Sequence, residues 1–182
     1  MTRYVAFLRG MNVGGHRASK DELIAMFATA GFDDAQTFRT SGNVVLDTPH
    51  GDDRAAVQAK LEQALESELG YAVPTFLRSA AETRAIAALE PFPAKRVEAS
   101  KGKLQVILLR SKPNAKTRKD MLAHATAADE LVLDGRELYW LPSGGTLDSD
   151  LDLKTIARLL GDPTTMRTKG TVDLIAAKYC GG

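Results

Sequence analysis

The chain has 182 residues, 44% hydrophobic, 26% charged and 6% aromatic. That is an ordinary globular composition, enough for one sizeable core or two small ones, and it argues against disorder, collagen and coiled coil. Lys and Arg number 24 against 23 Asp and Glu, a net charge of +1, which excludes a generally basic coat for nucleic acid but not a local basic face.

Residues 4–8 form a continuous apolar run ending at Arg9-Gly10, the pattern of a buried central strand. One basic residue and a short apolar run do not make a signal peptide. A glycine-rich loop follows, Gly10-Met11-Asn12-Val13-Gly14-Gly15, and then Ser19-Lys20-Asp21-Glu22, a capping box that opens a helix. Leu23, Ile24, Met26, Phe27 and Ala30 supply its apolar face, and Gly31 ends it. Residues 35–39 and 44–47 read as two strands joined by Thr40-Ser41-Gly42-Asn43, a hairpin turn. A long helix is expected over 52–69, capped by Gly70, then a strand over 73–77 and a short helix over 80–89, stopped by Pro91 and Pro93.

After a Pro- and Lys-containing stretch the order restarts. A strand is expected over 104–109, a helix over 114–126, and strands over 130–133 and 137–141 around the turn Asp134-Gly135. A helix over 149–160 capped by Gly161, a short strand over 164–167 and a helix over 171–179 complete the chain. Each half thus reads β-α-β-β-α-β, the split βαβ order of a ferredoxin-like unit. The expected fold class is α+β with two ferredoxin-like subdomains, residues 1–90 and 104–182, joined by a linker at 91–103. Two echoes support a duplication. Leu8-Arg9 parallels Leu109-Arg110, and Leu69-Gly70 with Pro74-Thr75 parallels Leu160-Gly161 with Pro163-Thr164. Cys180 is the single cysteine and forms no intrachain disulfide, so nothing points to an oxidising compartment. No run approaches the roughly 18 apolar residues of a membrane span. The expectation is a soluble cytoplasmic protein.

Three stretches together resemble one bacterial family: Leu8-Arg9-Gly10-Met11-Asn12-Val13-Gly14-Gly15, Thr37-Phe38-Arg39-Thr40-Ser41-Gly42-Asn43-Val44-Val45, and Thr165-Met166-Arg167-Thr168-Lys169-Gly170-Thr171-Val172. The family is the domain of unknown function numbered 1697. The resemblance covers essentially the whole chain. It implies an α+β fold with ferredoxin-like elements and no established activity. Where many members carry Arg-Asn-Trp, this chain has Arg167-Thr168-Lys169 and no aromatic.

The residues 10–20 loop is the leading site candidate. A strand enters it and a helix leaves it, and its glycines permit close backbone approach to an anion. Arg9, His16, Arg17 and Lys20 surround it, and no acid occurs before Asp21. Candidate ligand-binding residues are Arg9, Asn12, Gly14, Gly15, His16, Arg17 and Lys20, with Ser41 and Asn43 of the turn and Arg167 and Lys169 before the last helix. Each has a plain structural alternative: a solvated loop, a tight turn built from Gly and Asn, a capped helix. The loop is no P-loop, because His16-Arg17 stands where Lys-Ser/Thr is required. Asp148, Asp150 and Asp152 do not make a calcium loop, since Leu153 and Leu159 replace its Gly and Glu. His16, His50 and His124 show no metal spacing, and no cofactor is implied.

The +1 charge conceals a split. Residues 95–119 hold nine cations against one acid, and residues 129–152 hold seven acids against one cation. The basic stretch would suit nucleic acid or an acidic protein, or the two stretches neutralise one another. Three functions remain open: binding of an anionic small ligand such as a nucleotide or phosphorylated metabolite at the residues 10–20 loop, an enzyme acting on a phosphorylated substrate there, and an interaction module using residues 95–119. No nucleophile-and-base pair is evident, which ranks binding above catalysis.

Overall fold

The apolar run after Thr2 forms β1 (Thr2–Leu8), and Tyr4 to Leu8 are all buried. A strand buried on both faces belongs in the middle of a sheet. In the computed structural model, which describes residues 1–11, 18–39 and 42–181, β1 lies between β3 (Asn43–Thr48) and β4 (Thr75–Ser79), antiparallel to both. With β2 (Gln36–Thr37) the order is β2-β3-β1-β4. Two helices, α1 (Lys20–Thr29) and α2 (Arg54–Leu69), fill the two crossings. Tyr4, Ala6 and Leu8 pack with Leu23, Phe27, Leu61 and Leu65 in one apolar cluster. Alternation along the strand explains this side of the core.

The second sheet repeats the plan. Its strands are β5 (Gln105–Leu108), β6 (Asp129–Asp134), β7 (Glu137–Pro142) and β8 (Thr165–Thr168), ordered β6-β7-β5-β8 with every pairing antiparallel. The crossing helices are α5 (Ala115–Leu122) and α6 (Leu153–Leu160), and Ile107, Leu138, Trp140, Met121 and Ile156 form the core beneath them. The fold is α+β, with two ferredoxin-like units. Three helices complete it: α3 (Ala80–Ala88), α4 (Ala94–Ala99) and α7 (Lys169–Tyr179). One compact unit comprises Met1–Ala85 with the C-terminal segment from Ile175, and the other comprises Ile86–Leu174. The unit boundaries therefore fall within α3 and α7, and α4 lies inside the stretch 91–103 expected to link the subdomains.

Both sequence echoes fall at equivalent places. Gly70 ends α2 and Gly161 ends α6, at φ 75° and 68°, a left-handed cap that glycine adopts without a Cβ penalty. Leu8 ends β1 and Leu109 directly follows β5, and each donates a backbone hydrogen bond to the hairpin beside it, to the Gly42 carbonyl (2.8 Å) and the Arg136 carbonyl (2.9 Å).

Several boundaries differ from the sequence reading. β2 has two residues rather than five, because the chain turns into the left-handed region at Arg39 (φ 58°). α6 starts at Leu153, not at 149. Its cap is Asp152, whose side chain accepts from the Thr155 N–H at 2.9 Å, whereas Ser149 donates instead to Asp129 at 2.6 Å. α7 starts at Lys169, two residues before Thr171, and the Thr168 hydroxyl accepts from the Thr171 N–H at 3.2 Å.

Candidate functional site

The antiparallel pairing of β1 with β3 decides where the hairpin turn lies. β3 begins where β1 ends, and Phe7 pairs with Asn43. Leu8 donates its N–H to the Gly42 carbonyl, and Arg9 donates its own to the Pro74 carbonyl at 2.9 Å. The exit of β1, the turn before β3 and the entry of β4 therefore meet at one end of the first sheet. A ferredoxin-like order alone left open whether the first and second of these lie at opposite edges.

Gly42 is held tightly there. Its φ is 70°, and a Cβ at this position would lie 3.2 Å from Leu8 Cβ and from Met11 Cγ and 3.3 Å from the Leu8 carbonyl oxygen. Both neighbours are buried. Asn43 is buried too, and its amide Nδ2 donates to the Phe38 carbonyl at 3.2 Å, while the Phe38 N–H donates to the Asn43 carbonyl at 2.9 Å. Asn43 thus ties the hairpin across its base. Ser41 lies outside the described residues, as do Asn12, Gly14, Gly15, His16 and Arg17 of the loop.

Of the flanking cations, Arg9 and Lys20 are exposed. Arg39, not singled out in the sequence, is exposed as well and stacks over the Phe38 ring at 5.3 Å. A non-glycine residue at positive φ costs roughly 1–2 kcal/mol, and strain of this kind concentrates at functional positions. The signal was present in the sequence as an arginine directly before the turn Thr40-Ser41-Gly42-Asn43. The start of α1 is less open than the loop reading assumed. The Glu22 carboxylate accepts from the Ser19 N–H at 2.7 Å, and the Ser19 hydroxyl accepts from the Glu22 N–H at 3.2 Å. Bonds from the Ser19 backbone N–H, and then its hydroxyl, hold the Glu22 carboxyl below the usual carboxylate range. The capping box occupies donors that an anion would otherwise use.

A hollow of about 560 Å³ elsewhere in this unit is lined by Asp33, Asp34, Asp47, Asp52, Asp53 and Lys60. Its carboxylates disfavour an anion. Asp47 is held by Arg3 through two bonds of 2.7 and 2.9 Å, and the hydrogen bond from Arg3 pulls its carboxyl below the ordinary range.

In the second unit Arg167 lies on β8. Its guanidinium donates to the Met166 carbonyl at 2.8 Å and to the Thr165 hydroxyl at 3.0 Å. Burial pushes it down to about 10, so it is still charged at neutral pH. Lys169 opens α7 and donates to Asp173 and to the Ala87 carbonyl. Asp129 is another residue that the sequence did not single out. It is buried at the start of β6 and accepts from Trp140 Nε1 at 2.8 Å and from the Ser149 hydroxyl. Arg96 pairs with Glu130, joining the basic stretch to the acidic one. Lys112, Arg118 and Lys119 are exposed, and Lys116 pairs with Asp120 four residues on at 2.7 Å. Among the described residues no cluster of His, Cys, Asp and Glu is arranged to hold a metal ion, and no helix is long and apolar enough to cross a membrane.

The profile of a family described as "Protein of unknown function (DUF1697)" matches residues 1–139. The chain belongs to this family. The matched stretch includes the whole first sheet, the loop after β1 and the β2–β3 turn. No curated protein matches. Among solved structures, the conserved bacterial protein SP0830 from Streptococcus pneumoniae is similar over 97% of both chains, with 19% identity and a TM-score of 0.71. At that identity the likeness shows a shared fold. The DUF1697 fold in this chain is therefore the pair of four-stranded antiparallel sheets, each with its helices.

Proposed function

We propose that the protein binds an anionic small ligand, a nucleotide or phosphorylated metabolite, at the end of the first sheet where β1 leads into the residues 10–20 loop. The hydrogen bond from the Leu8 N–H to the Gly42 carbonyl carries the reading, because it holds Gly42 and Asn43 beside the end of β1, from which the chain runs into the glycine-rich stretch. Arg9, Lys20 and Arg39 supply positive charge from three separate positions in the chain, all of them exposed. In this reading the loop residues Asn12, Gly14, Gly15, His16 and Arg17, with Ser41, contribute backbone and side-chain donors. Glycine-rich backbone and flanking cations are the elements from which phosphate cradles are built. Since the capping box uses the start of α1 internally, the ligand depends on the loop and the cations more than on the helix.

The test is a thermal-shift screen with inorganic phosphate, nucleotides and sugar phosphates at millimolar concentration, since a ligand that binds only the folded state raises the melting temperature. Arg9→Ala should weaken any binder by about tenfold or more, the effect of losing a charge-assisted contact of roughly 1.5 kcal/mol. No stabilisation by any of these compounds, or unchanged affinity in both Arg9→Ala and Lys20→Ala, refutes the proposal.

The exposure of Lys112, Arg118 and Lys119 along and before α5 supports a second reading, a surface for nucleic acid. It requires binding that weakens steeply with salt and on neutralising these side chains; salt-independent or absent binding removes it.

A further inference from the structure

Lys169 is unusual among the lysines of this chain because its side chain is only 12% exposed. Its backbone N–H donates to the Leu104 carbonyl at 2.8 Å, which fixes it at the edge of the second sheet. Its ammonium donates to the Ala87 carbonyl at 2.6 Å, near the end of α3, and to Asp173 Oδ1 at 2.7 Å. An ammonium has three protons to donate, and among the described residues the third has no partner.

The same side chain lines a pocket of about 240 Å³. Phe92, Val97 and Leu104 supply apolar walls, and Glu90 and Glu98 supply carboxylates. Both glutamates are exposed, and among the described residues neither carboxylate has a hydrogen bond or ion pair. The pocket therefore offers one donor on a largely buried side chain, an apolar wall and two unpaired carboxylates open to solvent. An inorganic anion or a phosphate ester matches only the first of these and is repelled by the last. A simple hydrocarbon matches only the second. A free α-amino acid with an apolar side chain matches all three, because its carboxylate, ammonium and side chain radiate from one carbon. The volume, the liquid share of about eight waters at roughly 30 Å³ each, suits a molecule of this size better than a nucleotide.

We propose that this pocket binds a free apolar α-amino acid. The carboxylate accepts from Lys169 Nζ, the ammonium pairs with Glu90 or Glu98, and the side chain packs on Phe92, Val97 and Leu104. This site is separate from the loop site of the first unit and stands or falls without it. The charge-assisted bond to the largely buried Lys169 ammonium orients the ligand in this small, partly apolar pocket.

The test is a two-dimensional NMR titration of the full chain with L-leucine and L-phenylalanine, beside 4-methylpentanoate, isopentylamine and N-acetyl-leucine methylamide. L-Leucine or L-phenylalanine should give saturable shifts at Phe92, Val97 and Leu104. The acid lacking the ammonium and the amine lacking the carboxylate should each bind at least about tenfold more weakly than L-leucine. In the double variant Glu90→Gln, Glu98→Gln, leucine should lose affinity while 4-methylpentanoate does not, a contrast that general loss of structure would not produce. Lys169→Met should lose binding of both. Absence of saturable shifts with the two amino acids, equal affinity for the three leucine-like compounds, or unchanged leucine affinity in the double variant overturns the proposal. Tighter binding of the doubly blocked leucine also overturns it, in favour of a peptide segment.

Discussion

Gly42 and Gly70 share nearly the same backbone conformation, φ 70° and 75°, but not the same surroundings. A Cβ on Gly70 meets nothing within 4 Å, whereas one on Gly42 meets three buried atoms at 3.2–3.3 Å. Substituting alanine at either site imposes left-handed strain of roughly 1–2 kcal/mol. Both substitutions recover about 0.4–1 kcal/mol by restricting the unfolded chain. Gly70→Ala should therefore cost about 1 kcal/mol or less. Gly42→Ala carries an added overpacking cost of about 1–3 kcal/mol, since Leu8 Cβ and the Leu8 carbonyl belong to a strand fixed on both sides and only the Met11 side chain has freedom to give. The expected total for Gly42→Ala is about 2–4 kcal/mol. Urea unfolding followed by far-ultraviolet circular dichroism measures both, and the comparison cancels the strain and entropy effects common to the two. If Gly42→Ala costs no more than Gly70→Ala, the tight seating of the turn on β1 is wrong, and with it the geometric basis of the proposed anion site.

Asp129→Ala should destabilise the second unit by about 1–3 kcal/mol, because it orphans the Trp140 indole N–H in a buried position. Trp140 is the only tryptophan, so its fluorescence during urea unfolding reports that unit directly; an unchanged midpoint would show the bond to be dispensable. The Arg3–Asp47 pair adds an acid-sensitive contribution. Asp47 is depressed in the folded state, so the pair stabilises above the ordinary carboxylate pKa of about 3.9 and this is lost as pH falls through the lower folded value. Arg3→Met should raise the Asp47 titration seen by NMR towards that ordinary value, and a titration that stays where it was would rule out Arg3 as the cause. Asp152 caps α6 by accepting from the Thr155 N–H, and Asp152→Ala should cost about 1 kcal/mol in the same urea assay; no loss would mean that α6 starts elsewhere.

The local elements were legible in the residues themselves. Ser19 and Glu22 announce the start of α1, Gly70 and Gly161 the ends of α2 and α6, and Asp134-Gly135 the β6–β7 turn, because each of these signals acts across a few neighbouring residues. Their order also implied two ferredoxin-like units. The helix α4 was hidden in a stretch with no apolar period, and the start of α6 was misplaced because Ser149 finds its partner twenty residues away, at Asp129.

What the sequence alone determined, then, was the succession of strands and helices and the glycine-rich loop with its flanking cations. Only the tertiary structure decided that the Gly42 turn sits against Leu8, that the Asn43 amide is committed to Phe38, that Arg39 holds a left-handed conformation, and that Lys169 lines a pocket with Glu90 and Glu98. The physical reason is that capping and turn preferences are set by adjacent backbone groups. Strand register and pocket walls are set by the joint burial of residues far apart in the chain, which no short stretch encodes.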